Sequence, residues 1–157
     1  MFEDPTGRFQ ILSEEYERVF GILEESGYTV EGMTEPDRTF ILAYMADSAI
    51  NSDGVYSLWF NNHGLLDTPE VVEAFRAIGA PNSASVIQCF VEAVSGVDQE
   101  ADIEARSEQM ELLSRSWPDS DELDDAYPGS GEDIDDLLID YIQKHRRAEH
   151  VVGRNGV

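Results

Sequence analysis

Between Asp98 and Asp140 the chain carries 16 carboxylates and two arginines, Arg106 and Arg115. Nearly half of its 33 acidic residues thus fall in little more than a quarter of its length. Their spacing says as much as their number. Glu100, Glu104, Glu108 and Glu111 recur at i, i+4, i+8 and i+11, which on a helix makes one stripe. Glu132, Asp136 and Asp140 repeat the pattern, flanked by Asp133 and Asp135. Side chains four apart on a helix stand about 6 Å from each other at Cβ, so each row is spaced like the phosphates along a nucleic-acid strand. The chemistry open to such rows is ionic: they attract Lys and Arg on another surface. Like charges at this spacing weaken their own helix by roughly a few tenths of a kcal/mol per pair, and function is one reason to tolerate that. The plainer alternative is a solvated face, with Glu132 and Asp133 complementing the start of a helix dipole and Lys144 to Arg147 its end.

Other chemistries find less support. Asp119-Ser120-Asp121-Glu122-Leu123-Asp124 invites a calcium-loop reading, but Leu123 stands where the fifth-position ligand belongs and the sixth position lacks its Gly. His63, His145 and His150 have no metal-ligand spacing with one another or with Cys89. There is no phosphate loop, dinucleotide fingerprint or nucleophile elbow, and no carboxylate pair is singled out for acid–base work. The expectation is a protein that is not an enzyme, with no catalytic residue, no metal and no cofactor. The single cysteine, Cys89, has no partner for an internal disulfide. Beside Val86, Ile87, Phe90 and Val91 it reads as a small buried hydrophobe.

Whole-chain charge sharpens the argument. The formal charge of 157 residues is −23, whereas small domains are comfortable at a magnitude of about 2 to 8. Direct binding of DNA or RNA is excluded, because it needs Lys and Arg to displace counterions from phosphates. An anionic membrane surface is excluded on the same ground. A basic protein surface is the natural partner. The competing explanation is adaptation of a whole proteome to high salt, which the presence of only one lysine, Lys144, would suit. That explanation predicts acid spread evenly, and the concentration after Asp98 weakens it. No apolar run approaches the roughly 20 residues of a membrane span, and Met1-Phe2-Glu3-Asp4-Pro5 lacks the basic start of a signal peptide. A cytoplasmic location is the default expectation.

The elements that must position these carboxylates are helices throughout. The periodicity predicts a first helix from about Ile11 to Ser26, with Leu12, Tyr16, Val19, Phe20 and Leu23 inward and Gly27 as its stop. Thr34 caps a second, with Pro36 in its first turn and Phe40, Ile41, Tyr44, Met45 and Ala49 inward. A short aromatic segment runs from Val55 to Asn62. Thr68-Pro69-Glu70 starts a helix that buries Val71, Phe75 and Ile78 and stops at Gly79. The next, from about Ser83 to Ser95, gathers Ile87, Phe90, Val91 and Val94. A long acidic helix follows from about Gln99 to Ser116, with Ile103, Met110, Leu113 and Trp117 on its core side. A short acidic element covers Asp119 to Tyr127. The last helix, about Glu132 to Ala148, buries Ile134, Leu137, Leu138, Tyr141 and Ile142, and Val151 to Val157 form a frayed tail. The expected fold class is all-α: one compact multi-helix domain over 1–157, of about seven or eight helices.

The middle of the chain carries a resemblance. Ile50-Asn51-Ser52-Asp53-Gly54-Val55-Tyr56-Ser57-Leu58-Trp59-Phe60-Asn61-Asn62-His63-Gly64 is similar to the signature of an acidic DNA-mimic protein family whose shared domain was long catalogued as being of unknown function. That signature has an Asn-Gly-Gly turn, an aromatic pair, Asn and then Gly. Ala74-Phe75-Arg76-Ala77-Ile78-Gly79-Ala80 resembles the family's next segment. Glu122-Leu123-Asp124-Asp125-Ala126-Tyr127 and Ile139-Asp140-Tyr141-Ile142-Gln143-Lys144-His145 resemble its closing elements. The resemblance runs in order from Phe40 to His145. Asp53 departs from it, replacing the first Gly of the pair, and Ser57-Leu58-Trp59 stands where Gln and an aromatic are common. Gly54, Phe60, Asn61, Gly64 and Gly79 read as structural. What the resemblance implies is an all-helical fold and mimicry of duplex DNA toward DNA-binding proteins.

Residues and resemblance together lead to one expectation: a double-stranded-DNA mimic that occupies the basic face of a transcription factor, nucleoid protein or nuclease. The expected contact surface is Glu100, Glu104, Glu108, Glu111, Asp119, Asp121, Glu122, Asp124, Asp125, Glu132, Asp133, Asp135, Asp136 and Asp140. The rivals are an immunity or inhibitor protein for one basic toxin such as a nuclease, an enzyme or metal-binding protein, and a salt-adapted domain of other function. A symmetric homodimer would lengthen the acidic rows.

Overall fold

A computed structural model describes residues 7–60, 65–95, 102–113, 115 and 118–155, and every regular element among them is a helix. In order these are α1 (Arg8–Glu25), α2 (Asp37–Asp53), α3 (Ser57–Phe60), α4 (Pro69–Ala77), α5 (Pro81–Val94), α6 (Ile103–Leu113), α7 (Ser120–Ala126) and α8 (Ile134–Asn155). No helix among the described residues is long and apolar enough to cross a membrane.

The hub is α2, which buries Phe40, Ile41, Leu42, Ala43, Ala46 and Ile50. These positions cover more than one face, because α1, α3, α4 and α8 all pack around it. An aromatic contact fastens α1 to it: Tyr16 stacks on Tyr44 with centroids 4.8 Å apart, and Tyr44 stacks in turn on Phe40 of the same helix at 5.6 Å. On the far side α4 packs on α5, and α5 on α7. Val71, Phe75, Ile87, Phe90 and Val94 in that half are fully buried.

Local signals set several boundaries. In α4, Pro69 holds the first helical position after Thr68. At its end Gly79 N–H donates to Arg76 and Ala80 N–H to Phe75 at 2.8 Å. This paired C-terminal pattern satisfies two orphan carbonyls and delivers the chain directly to Pro81 at the start of α5. Gly27 ends α1 in the same way, with Tyr28 N–H on Leu23 at 2.9 Å.

Several expectations need correction. The cap of α2 is Pro36 rather than Thr34, and the Glu35 carboxylate accepts the Thr39 N–H at 3.2 Å. Cys89 is exposed: the buried face of α5 runs through Ala84, Ile87, Phe90, Val91 and Val94, and Cys89 lies about 200° around the helix from Ile87. Ile103 is 74% exposed rather than inward. The side of α6 that faces the body is set by Arg106, whose guanidinium lies 5.8 Å from the Trp59 ring centre. Trp117 and the side chains of Met110 and Leu113 lie outside the described residues, as do 99–101 of the expected long acidic helix. The expected frayed tail is helix up to Asn155, and the helix runs through Gly153.

Candidate functional site

The sequence-derived acidic surface divides into two parts with different employment. The first part lies on α6 and α7. Asp102 accepts the Ala105 N–H at 2.8 Å and so caps α6. From this helix Glu104, Glu108 and Glu111 are exposed. Glu100, the remaining member of the row, lies outside the described residues. Asp119 caps α7 by accepting the Asp121 N–H at 2.8 Å. The helix is pinned by buried Leu123 and Tyr127, and just before it Tyr56 donates its hydroxyl to the Pro118 carbonyl at 2.7 Å. Asp124 is committed as well: its carboxylate accepts the Val55 N–H at 2.8 Å and closes the Gly54–Val55 turn after α2. Asp121, Glu122 and Asp125 remain on the exposed side.

The second part, around the start of α8, is largely used by the fold. Helix α8 begins at Ile134, so Glu132 precedes it and is not a member of a helical stripe with Asp136 and Asp140. Glu132 reaches instead to the N-terminus of α5, accepting the N–H groups of Asn82 at 2.8 Å and Ser83 at 2.7 Å, and the Ser83 hydroxyl at 2.6 Å. Burial alone would raise this carboxyl, but the Ser83 hydroxyl and the two backbone donors outweigh burial and hold it below the ordinary range. Asp133 accepts the Asp136 N–H at 3.1 Å, and Arg8 binds Asp136 at 2.7 Å and Asp133 at 3.4 Å. Asp135 is half-buried, and burial, then the neighbouring Asp133, raises its pKa against the pull of Arg8. Asp140 is exposed.

The cations are distributed accordingly. Arg18 pairs with Glu15 and Asp37, Arg38 with Glu35, Arg76 with Glu73, and Arg8 with the start of α8. None of these pairs reaches Glu104, Glu108, Asp121, Glu122 or Asp125. From Asp102 to Asp125 nine carboxylates face two arginines, and one of those, Arg106, is turned onto Trp59.

A family model described as DMP19-like protein matches residues 31–145. The chain belongs to the DMP19-like family. No curated protein and no solved structure matches it. The DMP19-like region takes in α2 to α7 and the first half of α8, and leaves α1 outside. Yet α1 places Leu12, Val19 and Leu23 in the same core and supplies Arg8 to α8. In the DMP19-like region, the turn at Gly54 is the point where α7 attaches, through Asp124.

Three buried acids were not singled out from the sequence: Asp67, 1% exposed just before α4, and two at core positions on helices. Asp47 is 9% exposed and accepts the Tyr127 hydroxyl. Glu15 is 6% exposed and binds Arg18 at 2.5 Å. Both carried a readable signal: each falls at helical spacing among apolar neighbours, Ala43, Ala46 and Ile50 for one, Leu12 and Val19 for the other. Near Glu15 a cavity of about 350 Å³ opens between α1, α2 and α8, and one of about 500 Å³ adjoins it through Glu35 and Tyr141. Among the described residues no group of three or more His, Cys, Asp or Glu side chains could hold a metal ion.

Proposed function

We propose that this chain binds the basic DNA-contacting face of a partner protein and excludes DNA from it, with no catalytic step of its own. The carboxylates of α6 and α7 stand in for backbone phosphates. The observation that carries this reading is the division of labour among the acids: those at the start of α8 hold the fold, while Glu104, Glu108, Asp121, Glu122 and Asp125 point to solvent, away from the ion pairs made elsewhere. Membership of the DMP19-like family supports the same reading, since the resemblance in the signature segment implies DNA mimicry. A transcription factor, nucleoid protein or nuclease offers the required surface. Attraction between opposite charges speeds encounter and sets orientation, and affinity falls as salt rises.

The test is a fourfold charge reversal, Glu104→Lys, Glu108→Lys, Asp121→Lys and Asp125→Lys. It leaves Asp124 and Glu132 in place, so circular dichroism is expected to report unchanged helix content. Capture of partners from source lysate at low salt, with release by rising salt, supplies the binding readout. The parent is expected to retain DNA-binding proteins that free duplex DNA displaces, and the reversed variant to lose them. Retention by the reversed variant overturns the assignment. A single stoichiometric partner that DNA does not displace identifies an immunity protein instead.

A further inference from the structure

Acidity does not account for the whole outward face of α6. Five large apolar side chains are exposed among the described residues, and the two most exposed, Ile103 at 74% and Leu112 at 73%, both belong to this one 11-residue helix. Their positions follow from helix geometry. Arg106 marks the side of α6 that faces the body, through its contact with Trp59. At about 100° per residue, Glu104 and Glu108 each stand about 160° from Arg106, so the carboxylates form a ridge pointing directly away from the body. Leu112 lies about 60° to one side of that ridge and Ile103 about 120° to the other. Nine residues separate them, or about 14 Å along the axis at 1.5 Å per residue. Large aliphatic side chains set in a polar rim are the composition of an interaction site, and burial of their surface is the usual source of binding energy there.

We propose that α6 docks on a protein surface whose basic strip is bordered on both sides by apolar contact points, with Ile103 and Leu112 as the two anchors. Charge decides the occupant: a second copy of this chain would set one carboxylate ridge against another, whereas a basic surface neutralises it. The proposal rests on the reading of the acidic face given above and adds to it a salt-insensitive, apolar share of the affinity. Pure phosphate mimicry has no such share.

Two synthetic peptides of equal positive charge separate the contributions: an oligolysine, and a lysine-rich helical peptide with leucines on both sides of its basic stripe. Calorimetry in about 0.15 M salt is expected to show the leucine-bearing peptide bound about tenfold more tightly, with a negative heat-capacity change that oligolysine lacks. Ile103→Ser combined with Leu112→Ser is expected to abolish that preference and leave oligolysine affinity unchanged. Leu112→Ser alone removes about half of it in logarithmic terms. Both residues are largely solvent-exposed, so circular dichroism is expected to match the parent. Glu104→Gln with Glu108→Gln weakens both peptides. Equal affinity for the two peptides, or a preference that survives the double serine variant, overturns the proposal while leaving the acidic face intact as a binding site. Should the glutamine variant weaken neither peptide, the acidic-face reading falls as well.

Discussion

The Tyr127 hydroxyl donates to the carboxylate of Asp47 across 80 residues of chain, joining the end of α7 to the buried side of α2. Both groups are removed from water, so each depends on the other as partner. Tyr127→Phe leaves the Asp47 carboxylate short of a donor and is expected to lower unfolding free energy by about 1 to 3 kcal/mol in urea titrations.

The same carboxyl makes stability depend on pH in a definite direction. Burial raises its pKa, the Tyr127 hydrogen bond opposes this, and the nearby Asp135 adds to it. A raised folded-state value means that the folded chain holds this proton where the unfolded chain has released it. The ionisation penalty is therefore complete above the folded pKa and is relieved as pH falls toward the ordinary value. Asp47→Asn cannot ionise and keeps an acceptor for Tyr127. At pH 7 the variant is expected to be at least as stable as the parent, and the difference is expected to shrink on acidification. A difference that grows as pH falls would refute this.

Glu132 has the opposite sign. Its carboxyl is held below the ordinary glutamate value of 4.5 by the Ser83 hydroxyl and the N–H groups of Asn82 and Ser83, against the effect of burial. The stability it contributes is present above that value and is lost as pH falls through the folded one. Glu132→Ala is expected to cost about 1 to 2 kcal/mol at pH 7, the range of a lost helix cap, and progressively less below about pH 4. Asp121→Ala, on the exposed side of α7, is expected to stay within about 0.5 kcal/mol in the same titration.

Gly54 ends α2 at φ 88° and ψ 171°, a backbone region that is essentially reserved for glycine. A Cβ there would also approach Asp124 Oδ2 at 2.8 Å. The backbone conflict is the larger, because a carboxylate at the end of a side chain can swing aside. Gly54→Ala is expected to cost about 1 to 3 kcal/mol, and to cost as much in an Asp124→Ala background. Relief of the cost in that background would place the conflict in the side chain.

Cys89 faces solvent on α5. In the native protein it is expected to react stoichiometrically with a thiol reagent without denaturant, with no change in circular dichroism. Labelling that required denaturant would restore the buried reading.

Periodicity and punctuation carried most of the fold. Val71, Phe75 and Ile78 between Thr68-Pro69 and Gly79, or Ile87, Phe90 and Val94 after Pro81, specify a helix and its inward side within one short segment. Those features are local, and a single chain displays them. The core positions of Asp47 and Glu15 were legible on the same principle, because an acid at the spacing of apolar neighbours shares their face.

The employment of each carboxylate was not legible. Composition and spacing determined that this chain is acidic, helical and rich in carboxylate rows, since charge and period are properties of the sequence alone. Only the tertiary structure decided that Glu132 serves α5, that Asp124 closes the turn at Val55 and that Arg8 neutralises Asp133 and Asp136. Each of those partners lies tens of residues away in the chain. A hydrogen bond or ion pair forms at a few ångströms in space, and distance along the chain carries no record of it.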